Sequence, residues 1–185
     1  AMAILAGDGM LSLAFELIVT RVSDSQLASQ LVRELSVATS DMVAGQVYDT
    51  LPDFKDDVEP LDRLEGIHKH KTAALLRASC RMGAIIGGGT AQQLAAVTRY
   101  ADAIGLMFQI VDDLLDVTAT EEELGKATGK DADKGKFTYP GVIGMDASRK
   151  EVHRLQYEAR AALEDFNQSA DALRQLCDFM AVRRK

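Results

Sequence analysis

The chain has 185 residues, a formal net charge of −7, 47% hydrophobic residues and 26% charged residues. That length is the size of one domain and allows a sizeable core; the apolar content excludes disorder and a fibre, and the acidic balance argues against nucleic acid as the main partner. The two cysteines, Cys80 and Cys177, lie in apolar helical contexts, which excludes a disulfide framework and fits buried thiols in a reducing, cytoplasmic setting.

Long segments of helical period dominate, and the three prolines sit in or beside loops, so the chain reads as all-α. Residues 2–20 form a first predicted helix, built on Leu5, Leu11, Phe15 and Ile18. It begins with no cap and no polar lead-in, as the start of a fragment would. Residues 24–50 form a second, on Leu27, Leu31, Leu35, Ala38 and Met42, with Ser23 or Asp24 as its cap. Leu51-Pro52 ends it, and an acidic loop follows.

A third helix is expected over 61–86, stopped by Gly87-Gly88-Gly89, and a fourth over 91–118. Residues 120–145 read as a long polar connection, a length that compact domains keep for function. Helices over 147–166 and 168–182 complete the chain. No segment reads as a membrane span: the longest uncharged stretch, 82–98, is broken by glycines, glutamines and threonines. Asp8 interrupts the N-terminal apolar run, so no signal peptide is expected.

The fourth helix carries the most informative residues. Leu94, Val97, Ala101, Ile104, Phe108, Val111 and Leu115 repeat at steps of three and four and mark a buried stripe. At roughly 100° per residue, Gln109, Asp112, Asp113 and Asp116 fall within about a third of the circumference beside it. Unpaired acids at the edge of a core are costly, so a cation should meet them, and a hard divalent metal is the leading candidate. Magnesium binds through one or two carboxylates plus substrate phosphates, and Asp112 and Asp116 stand one turn apart.

Downstream, Gly125-Lys126 to Gly135-Lys136 places lysines among glycines, a composition suited to phosphate. In His68-Lys69-His70-Lys71-Thr72, the histidines at i and i+2 do not share a helix face, which argues against zinc. Lys71 and Thr72 instead enter an apolar stretch, as polar heads facing a cavity would. Each motif alone has a plainer reading: a solvated acidic face, a charged surface loop, a snorkelling lysine. Together they favour a metal–diphosphate site.

These blocks, in order, resemble the trans-prenyltransferases, the short-chain farnesyl and geranylgeranyl diphosphate synthases. The matches are Gly45-Gln46-x-x-Asp49, His70-Lys71-Thr72, Phe108-Gln109-x-x-Asp112-Asp113-x-x-Asp116, Gly125-Lys126 with Asp131, and Gly135-Lys136-x-Thr138-Tyr139-Pro140. Arg183-Arg184-Lys185 resembles the family's basic C-terminus. The resemblance implies an isoprenoid-synthase helical bundle around a cavity, usually a homodimer, joining an allylic diphosphate to isopentenyl diphosphate with Mg2+. It assigns Asp112, Asp113, Asp116 and Asp131 to the metal side. Lys71, Lys126, Lys136 and Arg184 fall to the diphosphates, Thr72 and Gln109 to the developing allylic cation, Phe108 to the isopentenyl site, and Gln46 and Asp49 to the allylic substrate.

One departure matters. The family's first aspartate-rich motif lies upstream of where this sequence begins, so the chain resembles the C-terminal two-thirds of such an enzyme. By itself it is expected to show little or no condensation. The competing readings are a class I terpene synthase, a non-catalytic prenyltransferase-like subunit, and a helical interaction module. The terpene synthase reading lacks its Asn/Asp-Ser/Thr-Glu metal motif here, the subunit reading predicts no catalysis, and the interaction module predicts no magnesium-dependent diphosphate binding.

Overall fold

A computed structural model describes residues 1–51, 58–124 and 137–183. Within them every regular element is helical: α1 (Met2–Arg21), α2 (Ser25–Thr50), α3 (Pro60–His68), α4 (Ala74–Ile86), α5 (Ala91–Leu124), α6 (Tyr139–Ile143), α7 (Met145–Ala162) and α8 (Asp171–Val182). A π-helical turn, Lys69–Ala73, joins α3 to α4, and a 3₁₀ turn, Gln168–Ala170, precedes α8. The all-α expectation stands.

The ends of the helices follow from local chemistry. Asp24, one of the two expected caps, accepts from the backbone N–H of Gln26 at 2.8 Å and of Leu27 at 3.1 Å. Thr90 and Gln93 form a reciprocal capping box at the start of α5. The glycine triplet ends α4 as expected, with Gly88 at φ +68°. The helix expected over 147–166 stops at Ala162. Arg174 closes over this end, its guanidinium donating to the carbonyls of Leu163, Phe166 and Asn167.

α5 runs through the middle of the bundle. Of the expected stripe Val97, Ala101, Ile104 and Val111 are buried and Leu94, Phe108 and Leu115 half-buried, and α5 also buries Ala96, Tyr100, Ala103, Leu106, Met107 and Ile110, so its buried surface is wider than one stripe. These residues meet Leu64 of α3, Val152, Leu155 and Ala159 of α7, and Cys177 and Met180 of α8. Burial pushes the Cys177 thiol up to about 11, and it is an inert core group. A second apolar cluster joins Ile18 of α1 to Leu31 and Leu35 of α2. Beside it, Arg81 of α4 grips both carboxylate oxygens of Glu34 at 2.7 Å and holds that carboxyl below its usual range. Leu5, expected in the core, is 62% exposed.

The third helix, expected as one run, is widened by the π turn. Two glycines make room for it from opposite sides. A Cβ on Gly45 of α2 would stand 2.3 Å from the Lys71 backbone nitrogen, and one on Gly105 of α5 would stand 2.4 Å from Ala73 Cβ. Such turns recur at functional sites, and this one carries His70, Lys71 and Thr72.

Candidate active site

The π turn, the end of α2 and the acidic stretch of α5 converge on a cavity of about 570 Å3. Asp49 and Lys71 line it together with Gln109, Asp112, Asp113 and Asp116. The close approach that Gly45 allows brings Lys71 Nζ to 2.6 Å from Asp49 Oδ2, across 22 residues of sequence. Leu64 and Ile67 give the floor an apolar surface, and Tyr48, Arg63, His68 and Phe137 complete the wall.

The three acids of α5 differ in environment. Asp116 is exposed. The Asp112 side chain is 40% exposed; it pairs with Arg183 and lies 3.5 Å from Gln109 Nε2. Asp113 is buried at 7% exposure, and its Oδ2 accepts the Tyr139 N–H at 2.9 Å and lies 3.2 Å from His68 Nε2. Around them, the Tyr139 ring stacks on His68 at 5.9 Å and 12°, and its hydroxyl donates to Glu65 at 2.7 Å. Burial and the neighbouring Glu65 carboxylate push the Tyr139 phenol far up, so it stays protonated.

The structure therefore gathers Asp49, Lys71, Gln109, Asp112, Asp113 and Asp116 around one cavity. It does not bring Gln46, Thr72 or Phe108 to that wall. Gln46 is exposed and donates to Thr50 at 2.9 Å, Thr72 is half-buried in the π turn, and the Phe108 ring lies under Arg183, 4.2 Å from its guanidinium carbon. Lys126, Asp131, Lys136 and Arg184 lie outside the described residues.

Sequence reasoning missed Arg183, Arg63 and Phe137. Arg183 leaves the end of α8 and donates to Asp112 and to the Phe108 carbonyl, with its side chain only 11% exposed. The signal for it was present: an aromatic residue four positions before an acid on one helix face offers an arginine both a ring and a carboxylate. Arg63 stands 5.5 Å from the Phe137 ring centroid, a contact between distant segments that no local pattern announces.

The polyprenyl synthetase family model matches residues 1–178. The chain is 43% identical over 189 residues to geranylgeranyl pyrophosphate synthase 9, chloroplastic, of Arabidopsis thaliana, covering 98% of this chain and 52% of that protein. It is equally 43% identical over 186 residues to the chloroplastic geranylgeranyl pyrophosphate synthase of Catharanthus roseus, again covering 98% and 52%. The chain thus spans about half the length of the curated relatives it matches. Among solved structures, the FPP/GFPP synthase of Zymomonas mobilis superposes with a TM-score of 0.79 at 29% identity, over 97% of this chain and 60% of that one. The Helicobacter pylori geranyltransferase, complexed with magnesium and isoprenyl diphosphate, gives 0.72 at 27% identity, over 96% and 58%. With nearly its whole length matched by the family model, and with the same helical fold, the chain belongs to the polyprenyl synthetase family.

Proposed function

We propose that this chain supplies the diphosphate-binding acidic half of a short-chain prenyltransferase that joins an allylic diphosphate to isopentenyl diphosphate and releases diphosphate. The observation that carries the reading is the cavity lined by Asp112 and Asp116 together with the Asp49–Lys71 pair. The names of the relatives support the short-chain class, farnesyl or geranylgeranyl.

The donors on the α5 wall fit Mg2+. Asp112 and Asp116 offer hard carboxylate oxygens one turn apart. Among the described residues no group of three or more His, Cys, Asp or Glu converges on one point. That suits an ion held by one or two protein carboxylates together with substrate phosphate. When bound there, the ion would neutralise the leaving diphosphate.

The chain's own residues supply the rest. Lys71, with its flexible ammonium group, can add charge to the same anion without fixed geometry. Asp49 holds that ammonium at the cavity edge before a ligand arrives. Gln109 directs its side-chain amide at the same space, where its oxygen can face a developing carbocation. Leu64 and Ile67 give the reacting carbons a surface that does not hydrate them.

Homodimer formation is part of the same proposal. It is supported by the outer face of α1, where Met10, Leu13 and Leu17 are 68%, 48% and 45% exposed.

The test is product analysis with the protein carrying this chain, both diphosphates and Mg2+. In that protein Asp112→Ala should lower turnover by roughly 10²–10³-fold, the scale of losing one electrostatic stabiliser. A change of only about twofold would mean that Asp112 is not a principal metal ligand. Products formed without isopentenyl diphosphate would point to terpene cyclisation instead.

A further inference from the structure

By motif alone, Asp113 stands with Asp112 and Asp116 as a metal ligand. Its surroundings separate it from them. All three line the cavity, but the Asp112 side chain is 40% exposed beside Arg183 and Asp116 is exposed, whereas Asp113 is buried and one of its oxygens is held by two protein donors. Its Oδ2 accepts the backbone N–H of Tyr139 at 2.9 Å and meets His68 Nε2 at 3.2 Å. A carboxylate accepts only, so the His68 proton sits on Nε2.

The Tyr139 N–H belongs to the first turn of α6, where helical N–H groups have no partner within their own helix. Asp113 provides that partner from α5. Tyr139 is then held at both ends, since its hydroxyl donates to Glu65 of α3 at 2.7 Å and its ring stacks on His68. Two residues earlier, Phe137 lines the cavity, and the Arg63 guanidinium lies 5.5 Å from its ring centroid. The segment that carries Phe137 into the cavity lining is thus tied to α5 through the backbone hydrogen bond from Tyr139 to Asp113.

We propose that Asp113 is a positioning residue: it fixes the Phe137–Arg63 wall through the Tyr139 backbone and leaves the metal to Asp112 and Asp116. The inference rests on the prenyltransferase reading above and names how that site is held.

The test titrates Mg2+ in calorimetric binding of inorganic diphosphate to the full chain, alongside amide hydrogen exchange at Tyr139. Asp113→Asn keeps an oxygen that can accept the Tyr139 N–H. It should leave the half-saturating Mg2+ concentration within about twofold and keep the amide protected. Asp113→Ala should speed Tyr139 exchange and weaken diphosphate binding at saturating Mg2+ by roughly tenfold each, without moving the Mg2+ midpoint. Asp112→Asn should raise that midpoint. A rise in Asp113→Asn as large as in Asp112→Asn would make Asp113 a metal ligand and overturn the proposal. Unchanged Tyr139 exchange in Asp113→Ala would overturn it too. If the unsubstituted chain binds no diphosphate with Mg2+, the prenyltransferase reading fails and takes the positioning role with it. That outcome is recognised because Asp112→Asn then changes nothing.

Discussion

α1 and α5 are both long and apolar enough to cross a membrane, yet 6% of the α1 window is buried against 61% of the α5 window. The same kind of sequence thus has opposite fates in one molecule. α5 is apolar along most of its surface because α3, α4, α7 and α8 pack against it and the π turn presses on it at Gly105. Among the described residues, α1 touches α2 along Leu11, Phe15 and Ile18 and leaves its other apolar side uncovered. Hydropathy therefore reports what a segment could bury, and only the neighbours decide what it does bury.

The sharpest way to break the comparison is a deletion at the centre of α5. Met107 is fully buried, at 0% exposure. Met107→Ala should cost about 2–5 kcal/mol, because a cavity at a fully buried position is only partly filled by relaxation of its surroundings. Urea denaturation of the purified chain reads it directly. A loss under about 1 kcal/mol would mean that α5 is packed more loosely than its burial implies.

That difference also explains what could be read from the sequence. The helices were legible because their apolar period is local, as were the Asp24 cap and the glycine stop after α4. The acids of α5 were legible because their spacing puts Asp112, Asp113 and Asp116 on one helix edge. Their separate environments were not, since these depend on partners far along the chain: His68 lies 45 residues from Asp113, Tyr139 26, and Arg183 71 from Asp112. The π turn was hidden for a related reason. It rests on two glycines, Gly45 and Gly105, that belong to other helices.

A second experiment sharpens the picture at the acidic end of α5, where α8 closes over it. Arg183 gives Asp112 a positive partner, and a second cation on the same carboxylate must share or displace it. Arg183→Ala should lower the Mg2+ concentration for half-maximal diphosphate binding by roughly threefold to tenfold, the scale of removing one partly buried ion pair. A rise instead would assign Arg183 to the bound diphosphate rather than to competition with the metal. No change would mean that the ion and Arg183 use different oxygens of Asp112.

The smallest stability effect belongs to the outer face of α1, and it is the most informative about that helix. Leu5 is 62% exposed and Leu13 48%. Replacing either by serine removes apolar surface that already faces solvent, so the unfolding free energy of the monomer should move by no more than about 0.5 kcal/mol. The association state should respond far more. If two copies pair through this face, each substitution acts twice across a symmetric interface, and Leu5→Ser with Leu13→Ser should shift sedimentation toward the monomer. A denaturation midpoint that falls at high dilution in both forms would instead show that association persists without these leucines. Unchanged sedimentation with unchanged stability would mean that these leucines do not mediate association of the chain.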